Sequence, residues 1–113
     1  MFQLAILAFV VAAVLGITLA VMHFTHKEIP LALALVHGLF AAAGLAVLII
    51  AGMKASFPSH TGLALGLFVA TALGGFLLLG MQLAKKALPS LLVVIHACAA
   101  VVSFLILLTS ATA

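Results

Sequence analysis

The chain has 113 residues, of which 69% are hydrophobic and 4% are charged, and its formal net charge is +3. These values exclude a soluble domain, because so few polar side chains could not cover its surface. They also argue against nucleic acid as a partner, since the positive charge is small and confined to loops. The mean hydropathy of +1.63 is that of a membrane protein.

Four apolar segments follow one another along the chain, each roughly 18–23 residues long, which is enough to cross a hydrocarbon core of about 30 Å. Water is absent there, so the backbone must satisfy its own hydrogen bonds as helices. Of the three residues before the first segment, Gln3 is the only polar one and none is basic, so the segment is not a typical signal peptide. The predicted transmembrane helices cover residues 4–22, 31–53, 62–81 and 91–108.

The links between these segments are short, and they read THKEIP, KASFPSH and AKKALPS. Short links make successive helices antiparallel neighbours. Pro30 and Pro89 lie where a proline in the first helical turn is tolerated. The predicted fold class is all-α: an integral membrane four-helix up-down bundle that forms a single transmembrane domain over residues 1–113.

An internal repeat relates the two halves of the chain. HKEIPLALALVHG, residues 26–38, has a counterpart 59 positions later in KKALPSLLVVIHA, residues 85–97. The register extends along the whole chain without a gap, and its matched Phe, Met, Lys, Pro and His residues are not expected by chance. We interpret it as a tandem duplication of a two-helix unit, with repeat 1 at 1–54 and repeat 2 at 60–113. The informative pairs are Phe9/Phe68, Met22/Met81, Lys27/Lys86, Pro30/Pro89 and His37/His96.

The repeat predicts a pair of histidines inside the membrane. Two helices return the chain to its starting side, so both units have one orientation and are related by an axis along the membrane normal. His37 and His96 should then lie at the same depth on diagonal helices, whose axes we expect to be roughly 11–14 Å apart. A titratable side chain within a span is costly unless it faces the interior and finds a partner.

Paired imidazoles are axial ligands of haem iron, so bis-histidine ligation through His37 and His96 is the leading interpretation. A macrocycle also needs a slot, and small residues lie at the depth of the histidines or on the histidine face of the helices. Small residues also serve helix packing in membranes, and that alternative stays open. The predicted slot residues are Gly16, Gly75, Ala41 and Ala100.

Basic residues cluster at the link between helices 1 and 2 and at the link between helices 3 and 4. Lys27 and Lys86 could accept the propionates of a haem held about 10 Å below these links. Together with Lys85 they outnumber Lys54 at the other face, which predicts a cytoplasmic lysine side and both termini outside. The expected location is a bacterial inner membrane. His23, His26 and His60 are interpreted as solvated interfacial residues.

Other functions compete with haem binding. The histidines could be interhelical hydrogen-bond partners in a non-catalytic membrane anchor or assembly module. A small proton-coupled transporter is a weaker alternative, because the only acidic residue, Glu28, lies in a loop. A transition-metal site would fall short of four ligands, since Cys98 lies about 200° around the helix from His96.

With the histidine pair, Gly16, Gly75 and the basic links, the chain resembles a small four-helix membrane cytochrome b. The resemblance covers the architecture of all four helices and implies haem b, bis-histidine ligation and transmembrane electron transfer, often with a quinone. One histidine pair implies one haem per chain, and a homodimer could bring two haems together or share ligands. No catalytic centre is evident, although a quinone or superoxide oxidoreductase activity stays open. The expected partners are the lipid bilayer and a quinone or another redox protein.

Overall fold

Four α-helices make up the computed structural model, which describes residues 1–57 and 60–112. Each helix contains its predicted segment and extends it by up to four residues at an end. The predicted all-α four-helix bundle is therefore confirmed. Pro58 and Ser59 of the second link, and Ala113 at the end of repeat 2, lie outside the described residues. The helices are α1 Phe2–Phe24, α2 Leu31–Lys54, α3 Thr61–Leu83 and α4 Ser90–Thr112.

All four helices are long and apolar enough to cross a membrane. Their outer surface carries large apolar side chains, such as Leu39, Leu73 and Leu91, which are about two-thirds exposed or more. Water would disfavour such a surface, whereas acyl chains solvate it. The fold is that of an integral membrane protein.

The ends of α1 and α3 have the same structure. His26 and Lys85, which are 59 positions apart, have φ values of 58° and 57°. After α1, the N–H of Lys27 donates to the carbonyl of Met22 at 2.9 Å, and His26 N–H donates to His23. The equivalent bonds close α3. These are Schellman caps, and they give a local reason for the recurrence of this segment in both halves.

Each helix packs against two neighbours: α1 and α3 both contact α2 and α4, most closely within the hairpins α1–α2 and α3–α4. The backbones on the two diagonals, α1–α3 and α2–α4, do not approach within 8 Å among the described residues. Side-chain rings bridge both diagonals instead. The core cluster consists of three pairs of positions 59 apart: Ala5 and Ala64, Phe9 and Phe68, and Leu48 and Leu107.

Packing differs between the two ends of the bundle. Nearly every buried residue lies in the half that is far from the lysine-bearing links. In the lysine-side half, which runs from the histidines to those links, Val93 is the one buried residue among those described. A cleft of about 610 Å³ opens this half between the start of α2 and the end of α3. The lysine-side half is therefore less closely packed than the other half of the bundle.

Polar side chains tie the repeats together. His23 Nε2 shares a hydrogen bond of 3.0 Å with Ser90 Oγ, which links α1 to α4. Gln82, which is 59 positions after His23, donates from its amide to the carbonyl of Ile29 at 3.1 Å. The expectation that His23 is only a solvated interfacial residue was therefore incomplete, because this ring is half-buried and bonded across the repeat boundary. At the other end, Thr61 and Ser110 share a buried hydrogen bond of 2.6 Å, which links α3 to α4 within repeat 2.

Candidate functional site

His37 and His96 face each other across the α2–α4 diagonal. Their ring centroids are 6.4 Å apart, and the ring planes cross at 85°. Both side chains are half-buried, so neither ring is turned wholly to the lipid. The structure thus brings together the two histidines that the repeat predicts to be a pair.

Each imidazole rests on a glycine of the other helix in its hairpin. A methyl group added to Gly16 would lie 2.9 Å from Cε1 of His37, and one added to Gly75 would lie 3.0 Å from Cε1 of His96. Both distances are shorter than an ordinary van der Waals contact. The two glycines therefore allow the rings to lie at this depth, which agrees with their predicted placement beside the histidines.

The Nδ1 atoms of the two rings have different surroundings. His37 Nδ1–H donates a hydrogen bond of 2.7 Å to the backbone carbonyl of Ala12 in α1. A carbonyl can only accept, so Nδ1 of this ring carries a proton, and in the neutral ring Nε2 is then bare. His96 Nδ1 is buried and has no hydrogen-bond partner in the part of the chain that the structure describes.

Two phenylalanines close the bundle below the histidines. Phe9 and Phe68 stack across the α1–α3 diagonal, with ring centroids 4.1 Å apart and planes within 1° of parallel. A methyl group added to Gly44 would approach the Phe9 ring to 3.0 Å, so this glycine makes room for the stack. Phe9 lies seven residues, about 10 Å, along α1 from Gly16. The stack separates the histidine level from the far end of the molecule.

The other predicted site residues lie along the two histidine-bearing helices and at the lysine end. Ala41 and Ala100 are half-buried, one helical turn beyond each histidine, where small side chains leave room on the histidine face. Lys27 and Lys86 are exposed at the lysine end. Cys98 is exposed and lies on the outer side of α4, as its angular offset from His96 predicts.

Sequence reasoning missed two features of this site, which are the Phe9–Phe68 stack and the hydrogen bond to the Ala12 carbonyl. Phe9 and Phe68 appear in the repeat register, but nothing in it indicates that their rings stack. The Ala12 carbonyl is a backbone atom and leaves no signal in the residue types.

The donor set limits what the site can hold. No group of three or more His, Cys, Asp or Glu side chains comes together within residues 1–57 and 60–112. A structural zinc site needs four protein ligands, so the described residues do not make one. Two opposed imidazoles are the complete protein ligand set of a bis-histidine haem, to which the macrocycle supplies the remaining nitrogens.

Comparisons with known proteins give no relatives. No family model matches the chain, and neither a curated protein nor a solved structure is significantly similar to it.

Proposed function

We propose that the bundle is a b-type haem protein that carries electrons within the membrane, with His37 and His96 as the axial ligands. The observation that carries the proposal is the opposed pair of rings. A metal–imidazole bond is about 2 Å, so two nitrogens on one ion lie about 4 Å apart and their ring centroids about 6 Å apart. The separation of 6.4 Å agrees with this requirement.

The uneven packing supports the same function. A macrocycle between the rings needs space beside them, and the lysine-side half contains a single buried residue among those described, Val93. Gly16 and Gly75 already let the imidazoles approach the backbone, and Ala41 and Ala100 leave the next turn narrow. The Phe9–Phe68 stack would exclude water from the opposite side.

Charge is placed to suit the two propionates of a haem. Lys27 and Lys86 lie at the end toward which the less closely packed half opens, and Lys85 lies beside them. Propionates directed to this end would meet cations and water rather than acyl chains. Lysines on a cytoplasmic face would produce the same distribution, and both explanations hold together.

The haem would supply one-electron redox chemistry, and the chain would supply its ligands, its orientation and its shielding from water. Two protein ligands fill both axial positions, which favours electron transfer over oxygen binding. The exchange partners we propose are a quinone or another redox protein, with superoxide as a further acceptor or donor at a membrane face. The membrane is proposed to be a bacterial inner membrane, and one haem is expected per chain, in a monomer or a homodimer.

A second function has one observation in its favour. The bond from His37 Nδ1–H to the Ala12 carbonyl is what an interhelical structural histidine would make, as in a non-catalytic anchor or assembly module. His96 makes no such bond, so this function accounts for only one member of the pair. A proton-coupled transporter has less support, since Glu28 is exposed in a link rather than embedded among the helices.

The absorption spectrum of protein expressed with ample haem tests the proposal. We expect a low-spin spectrum with a sharpened α band after dithionite reduction, and its loss in His37→Ala and in His96→Ala. His60→Ala is the matched control, because this histidine is exposed at the far end. Protein that is folded but colourless would leave the anchor function in place of haem binding.

A further inference from the structure

The cleft between the start of α2 and the end of α3 has walls of mixed polarity. Its volume of about 610 Å³ lies within the range of about 300–1,000 Å³ that is typical of small-ligand sites. The amide of Gln82 in α3 donates a hydrogen bond to the carbonyl of Ile29, which immediately precedes Pro30 and α2, so the two walls are joined. Beside these polar groups, apolar side chains such as Leu31 and Leu83 line the cleft.

One carboxylate and one ammonium group line the same cleft. Glu28 comes from the link between α1 and α2, and Lys85 comes from the link between α3 and α4, so the two charges belong to different repeats. Both side chains are exposed, and no ion pair joins them in the part of the chain that the structure describes. Two separate charges of opposite sign suit a ligand that carries one charge of each sign.

The matched gap on the other side of the bundle, between the start of α4 and the end of α1, has different chemistry. The residue 59 positions after Glu28 is Ala87, which has no carboxylate. A hydrogen bond between His23 and Ser90 spans that gap, whereas the position of Ser90 is occupied by the apolar Leu31 on the cleft side. The pair of opposite charges is therefore specific to one of the two gaps.

The cleft lies at the depth of the lipid headgroups. α2 has 24 residues and α3 has 23, so each helix is about 35 Å long and its ends extend beyond a hydrocarbon core of about 30 Å. Leu31 and Leu83 are 40% and 58% exposed at these helix ends, where the acyl chains begin. A ligand in the cleft would meet the two charges at the level of the headgroups and apolar side chains at the level of the acyl chains.

The lining residues distinguish between phospholipid headgroups. A phosphate would accept hydrogen bonds from Lys85, and a primary ammonium would donate hydrogen bonds to Glu28. A quaternary ammonium has no proton to donate and is typically held by aromatic rings, but none of the described residues that line the cleft is aromatic. A headgroup with negative charge alone would meet the Glu28 carboxylate as a like charge.

We propose that the cleft binds a phospholipid whose headgroup carries a phosphate and a primary ammonium, as phosphatidylethanolamine does, with Lys85 at the phosphate and Glu28 at the ammonium. The site uses neither histidine of the candidate haem site, so the inference is independent of the proposed function. A lipid bound in this way contacts both repeats and links them at the lysine end.

Competition between three lipids with identical acyl chains tests the headgroup. Haem-free protein in detergent is mixed with phosphatidylethanolamine, phosphatidylcholine and phosphatidylglycerol, and native mass spectrometry measures how much of each stays bound. We expect phosphatidylethanolamine to be retained about fivefold more than either competitor, which is the upper end for one exposed ion pair. Equal retention of the three lipids, or a preference for phosphatidylglycerol, would overturn the inference.

Charge-removing variants test the two contacts separately. Glu28→Gln should lower the retention of phosphatidylethanolamine to that of phosphatidylcholine, and Lys85→Gln should weaken the binding of both lipids severalfold. Lys86→Gln is the matched control, because it removes the same charge from the next residue, which is exposed and does not line the cleft. Circular dichroism shows whether each variant has folded. Equal losses in Lys85→Gln and Lys86→Gln would mean diffuse attraction to the lysine end and would overturn a defined site.

A competing quinone separates this site from the exchange partner of the proposed function. A short-chain benzoquinone added in excess should leave phosphatidylethanolamine bound, and displacement of the lipid would assign the cleft to a quinone instead. The lipid measurement is made without haem, so the two proposals fail separately. If the protein binds no haem, the proposed function fails, whereas the preference for phosphatidylethanolamine should persist.

Discussion

Phe9 and Phe68 stack face to face across the α1–α3 diagonal, with centroids 4.1 Å apart, and they occupy positions 59 residues apart in the chain. They are 5% and 7% exposed. His37 and His96 bridge the other diagonal, nearer the lysine end. The two ring pairs therefore close both diagonals of a bundle whose opposite backbones do not touch.

Truncation of either phenylalanine in this stack should lower the stability of the bundle. We expect Phe9→Ala or Phe68→Ala to destabilise the bundle by about 3 kcal/mol, the lower end of the range for core phenylalanines, because in a membrane only packing is lost. Unfolding in detergent with increasing denaturant measures it. Phe76→Ala, at a position 67% exposed, is the matched control and should change stability by less than about 0.5 kcal/mol. Equal effects at the three positions would show that the stack contributes nothing special.

A methyl group added to either glycine in contact with a histidine should displace that histidine ring. Gly16→Ala would place Cβ 2.9 Å from His37 Cε1, so the ring must move, and under the proposed function haem binding should weaken severalfold. Gly75→Ala should act similarly on His96. Gly66→Ala is the control, because no atom lies within 4 Å of its added methyl, and the helix should gain up to about 1 kcal/mol. Haem content per folded protein is the measurement, and an unchanged value in Gly16→Ala would contradict the assigned contact.

Glycine at the positive-φ position of the α1 and α3 caps should stabilise the bundle. His26 and Lys85 have positive φ values, which cost a residue with a side chain about 1–2 kcal/mol. We expect His26→Gly and Lys85→Gly each to stabilise the bundle by about 1 kcal/mol in detergent unfolding. His26→Ala and Lys85→Ala remove the same side chains while keeping Cβ, so they should give no such gain. A gain with alanine as large as with glycine would place its cause in the side chain rather than in the backbone.

The buried hydrogen bond between Thr61 and Ser110 should contribute modestly to the stability of the bundle. Hydrogen bonds between membrane helices are worth about 0.6 kcal/mol on average and up to about 1.7 kcal/mol. Thr61→Val should cost an amount in this range, measured by unfolding in detergent. Thr18→Val is the comparison, because the exposed Thr18 hydroxyl bonds, among the residues that the structure describes, only to Val14 of its own helix. A smaller loss at Thr61 than at Thr18 would contradict an interhelical role.

Orientation in the membrane follows from the lysines. Lys27, Lys85 and Lys86 lie at one end and Lys54 at the other, so both termini should be outside the cytoplasm. A reporter that is active on only one side of the membrane, fused to the C terminus, measures this. Changing the three lysines to glutamine should mix or invert the orientation, whereas Lys54→Gln should strengthen the original one. A reporter signal from the cytoplasm in the unchanged protein would refute the assignment.

The elements that sequence predicts well here are those with a local cause. The four helices follow from long apolar runs, and the antiparallel arrangement of successive helices follows from the short links between them. The depth match between Gly16 and His37 was also predictable, because antiparallel helices joined by a short link have a known rise per residue. The stack of Phe9 on Phe68 was not predictable, because it depends on the rotation of α1 and α3 about their own axes.

The amino-acid sequence alone determined four membrane-spanning helices and gave His37 and His96 the same position within each repeat. Both can be read from the chain, because hydropathy and residue spacing are properties of the linear sequence. Only the tertiary structure decided that the rings lie 6.4 Å apart, that the lysine-side half is less closely packed, and that His37 alone finds a carbonyl at Nδ1. Those outcomes depend on the rotation of each helix about its own axis. Residue types do not encode that rotation one by one, because it arises from the packing of all four helices together.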